Sequence, residues 1–152
     1  MPNSYTKIYL HLVFTPYNRE NTIPVKRKEE LHKYATGIIH NRRHKLLAIN
    51  FMPDHVHILI WYNPSQSIPD LLRDIKACTS KFINENKWTV GKFRWQEGYG
   101  AFSHCPSSID DVKRYINDQE KHHDIRSFKE EYLKMLDDYD VDYNPEYLFE
   151  WI

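Results

Sequence analysis

In "MPDHVHILI", residues 52–60, two histidines flank a valine at the entrance to an apolar run. Side chains on a strand alternate between faces, so His55 and His57 share one side, with Cα atoms about 6.5 Å apart. Two imidazoles at that separation can converge on one cation, while Val56, Ile58 and Ile60 turn to the opposite, core side. On this spacing alone the simpler reading is the solvent face of a half-buried strand, and the metal site is the alternative. Asp54 can orient a ligand histidine through a hydrogen bond, and a turn aspartate explains it equally well.

A second constellation lies in "RYINDQEKHH", residues 114–123. Tyr115 and Gln119 are four apart, which on a helix places them on one face with Cβ atoms about 6 Å from each other. His122, seven residues from Tyr115, falls near the same face, and His123 follows it. Taken alone, such a helix reads as a core tyrosine with a surface glutamine. A tyrosine nucleophile suits phosphodiester chemistry, because the phosphotyrosine ester stores the bond for a later hydroxyl to reverse. A phenol with a pKa of about 10 is rarely ionised at neutral pH. A divalent metal supplies the missing Lewis acidity toward the phosphate and the leaving oxygen.

These residues need elements to hold them. "YTKIYLHLVF", residues 5–14, is rich in aromatic and branched residues and reads as a strand. From Pro24 to about Arg43, Leu31, Tyr34, Ile38 and Ile39 recur at helical spacing behind a proline. "KLLAINFM" and "HVHILIWY" then form a hairpin about Pro53-Asp54. Leu71, Leu72, Ile75, Cys78, Phe82 and Ile83 line one side of a second helix. "KFRWQEGYGAFSHC" reads as an irregular strand or strand pair, its glycines marking a bulge or a close backbone approach. "SSIDDVKRYINDQEKHH" reads as a third helix, with Ser108 as N-cap and Asp110 and Asp111 in its first turn. "SFKEEYLKMLDDY" reads as a C-terminal helix, followed by the aromatic "EYLFEWI". The order β-α-β-β-α-β-α plus a C-terminal helix implies an α+β, ferredoxin-like (RRM-like) sandwich with helices packed on an antiparallel sheet.

At 152 residues, one domain spanning 1–152 is expected. The formal net charge is zero, but it is unevenly spread: residues 127–152 hold two lysines against eight acids, leaving residues 1–126 at +6. The acidic stretch reads as an extension of the same domain, and the basic body is compatible with phosphate binding. Cys78 and Cys105 fit neither a zinc spacing nor a disulfide framework, so a reducing cytoplasm is the simpler compartment. The N-terminal segment is unlike a signal peptide, and no apolar run reaches membrane-spanning length.

"DHVHILI" resembles the histidine, hydrophobic, histidine motif of the HUH nucleases, and "RYINDQEKHH" resembles the tyrosine helix of the single-tyrosine, IS200-like transposases of small insertion sequences. "FRWQEGYGAFS" and "YTKIYLHLVFTPYNRE" are similar to further segments of those transposases, in the family's order and spacing. The resemblance implies that His55 and His57 are metal ligands, Tyr115 is the nucleophile and Gln119 is the third ligand. It also implies a divalent Mg²⁺ or Mn²⁺ cofactor and single-stranded DNA hairpins at element ends as partners. Cleavage would leave a 5′-phosphotyrosine and a free 3′-hydroxyl. The family works as homodimers whose sheets join, and a site can take its histidines from one subunit and its tyrosine from the other.

Arg19, Arg42, Arg43, Lys45, Lys92 and Arg94 are candidate phosphate contacts, although solvated cations are the commoner outcome. Trp95, Tyr99 and Phe102 could stack on unpaired bases or pack in the core. Two rival functions stand beside the transposase. One is a domesticated HUH nickase acting on chromosomal palindromes; the other is a non-catalytic, nucleic-acid-binding ferredoxin-like domain whose histidines are structural.

Overall fold

The computed structural model describes residues 3–17, 22–123 and 126–151, without the side chains of 122 and 123. Four strands, β1 (Tyr9–Phe14), β2 (Lys45–Met52), β3 (His55–Trp61) and β4 (Gly100–His104), form one antiparallel sheet in the order β2-β3-β1-β4. Helices α1 (Lys28–Asn41) and α2 (Ile68–Glu85) fill the connections before β2 and after β3. After β4 come α3 (Ile109–Asn117), the short α4 (Gln119–His123) and α5 (Phe128–Asp138). This is the α+β, ferredoxin-like arrangement the element order implies.

β1 and β3 are the central strands and are nearly continuously buried. Strands covered on both faces carry apolar runs rather than a clean alternation. On one face Leu12 pairs with Ile58 and Leu10 with Ile60, in one core with Leu31, Ala35 and Ile39 of α1 and Leu71, Leu72 and Ile75 of α2. The opposite face carries His11, His55, His57 and Leu59, and there Ile109 and Ile116 of α3 pack on Ala48 and Leu59. The side expected to meet solvent is therefore roofed by helices, and both histidines of the motif have no exposed surface. An apolar-enough α3 exists to cover them, which a single strand's pattern does not reveal.

The expected third helix is two helices. The chain breaks at Asp118 (φ −98°, ψ 20°), whose amide donates to the Arg114 carbonyl and whose carbonyl accepts from Lys121. Asn117 and Asp118 are weak helix formers whose side chains compete for backbone groups. Ser108 sits at the N-cap position of α3, but its hydroxyl donates back to the Cys105 carbonyl and makes no cap bond. The first strand is also shorter than expected, since residues 5–8 precede it.

α5 begins as a capped helix, the Ser127 hydroxyl accepting from the Glu130 amide at 3.2 Å. Its Phe128, Tyr132 and Leu136 are buried at i, i+4 and i+8, with the Tyr132 ring 6.4 Å from Phe102 of β4. Gly100 allows this docking: a Cβ there would lie 2.8 Å from the Tyr132 hydroxyl. The glycine is thus the close backbone approach that its place in the irregular strand suggested. The aromatic end is tied down as well, with Phe149 beside Tyr132 and the Glu150 amide donating to Gln96 Oε1 at 2.7 Å.

Candidate active site

The hairpin turn delivers both histidines to the roofed face at the end of the sheet where Met52 pairs with His55. Asn50, paired with His57 across the ladder, donates to the Ile116 carbonyl at 2.8 Å and so ties α3 to the strand below it. Lys28 of α1 reaches Glu120 of α4 at 2.9 Å. These contacts set the height of α3 and α4 above the histidines.

His55 Nδ1 lies 2.7 Å from Asp54 Oδ1, and its Nε2 lies 2.9 Å from Gln119 Oε1. Its ring stacks on Phe128 at 4.4 Å. His57 Nε2 lies 2.8 Å from Glu131 Oε1, and its Nδ1 lies 2.6 Å from His11 Nε2. The Tyr115 hydroxyl donates to the other carboxylate oxygen of Glu131. Despite the break at Asp118, Gln119 stays beside Tyr115, its amide donating to the Tyr115 carbonyl at 3.4 Å. All four residues expected from the two motifs thus meet in one chain, together with Asp54.

Glu131, in the acidic C-terminal stretch, escaped the sequence reading. The signal was present: a carboxylate at i+3 of the Phe128, Tyr132, Leu136 stripe cannot avoid the buried side of its helix. His55, His57 and Glu131 are all buried and offer ligand atoms within 4.8 Å of one another. Two imidazole nitrogens and a carboxylate oxygen suit a divalent first-row ion, and hard oxygen donors suit Mg²⁺ or Mn²⁺.

The electrostatics follow from burial. Desolvation pushes the Glu131 carboxyl up, but the His57 hydrogen bond and charge, with help from Tyr115 and His55, outweigh it and leave the pKa at about 2. Burial first, and then the charge of Glu131, hold the Tyr115 phenol well above its ordinary value of 10. His11 is held well below its ordinary 6.5 by burial and by its neighbour His57.

The remaining expected residues lie elsewhere. Arg42 pairs with Asp74 at 2.8 Å, and Arg43 occupies a left-handed turn at φ 66°. Lys45 starts β2, seven residues and about 23 Å along the strand from Met52. None of these three converges on the histidines. Arg94 stacks over Tyr17 at 3.7 Å, close to the site end of β1, where Pro16 bridges to Trp95. Trp95 corrects the base-stacking expectation: it is buried against Phe14 and Phe93, with Nε1 donating to Thr79. Phe102 is buried too. Arg19 and the side chains of His122 and His123 lie outside the described residues.

A family model described as "Transposase IS200 like" matches residues 4–119. The ISDra2 transposase TnpA of Deinococcus radiodurans is 22% identical over 116 residues, spanning 72% of this chain and 81% of that protein. A crystal structure assigned as a transposase from Deinococcus radiodurans superposes with a TM-score of 0.59 at 21% identity, covering 77% of this chain and 94% of that one. A REP-associated tyrosine transposase bound to a REP hairpin superposes with a TM-score of 0.60 at 14% identity, covering 80% and 72%. The family match takes in both the histidine strand and the tyrosine helix, and the chain belongs to the IS200-like transposase family.

Proposed function

We propose that this transposase cleaves and rejoins single-stranded DNA by tyrosine transesterification, with Tyr115 as nucleophile and His55 and His57 as metal ligands. The observation that carries the reading is the Glu131 carboxylate, which touches both His57 Nε2 and the Tyr115 hydroxyl and so joins the motifs into one site. A divalent ion bound there would polarise the scissile phosphate and stabilise the leaving 3′ oxygen.

His55 and His57 would hold that ion through Nε2, with oxygen from Glu131 and Gln119 as further donors. Asp54 orients His55 through its Nδ1. Glu131 also accepts the Tyr115 proton as the phenol oxygen attacks phosphorus. The P–O3′ bond breaks, leaving a 5′-phosphotyrosine and a 3′-oxygen that takes a proton to become the hydroxyl. In rejoining, a 3′-hydroxyl attacks the phosphotyrosine and the proton returns to the phenol oxygen. DNA hairpins are the proposed partner, in line with the hairpin held by the REP-associated relative. The contact of Tyr115 with Glu131 beside His57 supports a site whose histidines and tyrosine belong to one subunit, with a homodimer pairing two such sites.

Labelled single-stranded hairpins incubated with Mn²⁺ and analysed on denaturing gels test the reading. A covalent protein–DNA adduct in the wild type that disappears in Tyr115→Phe is expected. An adduct that persists in Tyr115→Phe removes the nucleophile assignment, and no adduct on any hairpin favours the binding-domain rival. Matching palindromes flanking many gene copies would separate a mobile element from a chromosomal nickase.

A further inference from the structure

His11 takes no part in the reaction just described, yet it is buried in the middle of β1, where an imidazole contributes little to packing. Its register partner on β3 is Leu59, which makes His57 its diagonal neighbour on the same face. Long side chains reach across that diagonal, and here His11 Nε2 and His57 Nδ1 are 2.6 Å apart. The two rings are tilted, with centroids 4.8 Å apart.

A neutral imidazole carries a proton on one nitrogen and a lone pair on the other, and its hydrogen bonds decide which. For His57 Nε2 to give its lone pair to a cation, the proton must reside on Nδ1. A buried N–H of that kind needs an acceptor. We propose that His11 is the positioning residue that accepts the Nδ1 proton of His57 and so fixes the tautomer and ring orientation in which Nε2 ligates the metal. The inference rests on the reading of His57 as a ligand. It gives the two histidines different supports: a carboxylate, Asp54, behind His55 and a neutral imidazole behind His57. The site thereby orients both ligands while adding only one negative charge behind them.

The test is Mn²⁺ titration of the full chain, followed by the electron paramagnetic resonance of the free ion. The proteins compared are the wild type, His11→Leu, His11→Gln and His57→Ala. Loss of an outer hydrogen-bond partner typically weakens metal binding about 10- to 100-fold, and that loss is expected in His11→Leu. His11→Gln, whose amide oxygen accepts, should recover most of it. In the Mg²⁺-loaded wild type, long-range ¹H–¹⁵N spectra should show His57 protonated at Nδ1. Wild-type affinity in His11→Leu alongside loss in His57→Ala overturns the role of His11 and leaves the metal site standing. Wild-type affinity in His57→Ala overturns the ligand reading, and the role of His11 with it. A His11→Gln protein as weak as His11→Leu, or His57 protonated at Nε2 under Mg²⁺, also overturns the positioning role. Should His11→Leu not fold, the spectra and His11→Gln decide the question.

Discussion

Glu131 holds a negative charge in a buried place because His57 and Tyr115 both point at it. Replacing it with alanine removes one hydrogen-bond partner from each, a change expected to cost about 1–3 kcal/mol in urea unfolding. The same carboxylate makes the metal-free fold sensitive to acid. Its folded pKa of about 2 lies below the ordinary 4.5, so its contribution is complete above about pH 4.5 and is lost as the pH falls to about 2. The thermal midpoint of the wild type should therefore fall more steeply across that window than that of Glu131→Gln; parallel curves would contradict it. At Tyr115 the sign is opposite, because burial and Glu131 favour the neutral phenol. Removing the charge in Glu131→Gln should bring the phenol's pKa down while leaving it above 10, since burial, the larger cause, remains. On the proposed mechanism, the same variant also loses its proton acceptor in single-turnover adduct formation. Its rate should fall across the neutral range and rise more steeply with pH than that of the wild type.

The elements owe their places to a few close contacts. α5 reaches the site only because Gly100 leaves room for Tyr132. Gly100→Ala forces a methyl against the Tyr132 hydroxyl and the Phe102 ring, an overpacking expected to cost about 1–3 kcal/mol. The consequence belongs to the element rather than to β4 alone: if α5 is displaced, Glu131 leaves His57, and Mn²⁺ affinity should fall together with stability. A variant that loses stability with unchanged Mn²⁺ affinity would show that the docking of α5 and the site are independent. The break at Asp118 is of the same kind. It separates the helix of Tyr115 from the residue that follows it, and Gln119 turns in to face His55 without dislodging Tyr115.

At the scale of the whole molecule, a basic body carries an acidic end, and the family match stops at residue 119, short of α5. The acidic end closes the roof over the site: Phe128 covers His55, and Glu131 reaches into the histidine face. A chain ending at Arg126 would lose Glu131 and the apolar stripe, and its net charge would rise from zero to +6. Its thermal midpoint should drop. Its affinity for single-stranded DNA should rise at low salt, with the difference shrinking toward 1 M salt, where screening acts within about 3 Å. An unchanged affinity at low salt would mean that the acidic end does not oppose DNA.

The sequence alone determined what is periodic or adjacent. The faces of β3, the hairpin about Pro53-Asp54, the apolar sides of α1 and α2 and the ferredoxin-like order all follow from local spacing and turn chemistry. The pairing of "HVH" with Tyr115 and Gln119 was legible through family resemblance, because both segments keep their residue types and order. Tertiary structure alone decided what depends on distant chain segments packing together. It roofed the histidine strand, buried Trp95 and broke the tyrosine helix at Asp118. It also set His11 behind His57 and brought Glu131 between His57 and Tyr115, across 74 and 16 residues of sequence. No local period encodes those contacts. They arise when the burial of Ile116, Phe128 and Tyr132 against the sheet fixes where the polar side chains beside them must end.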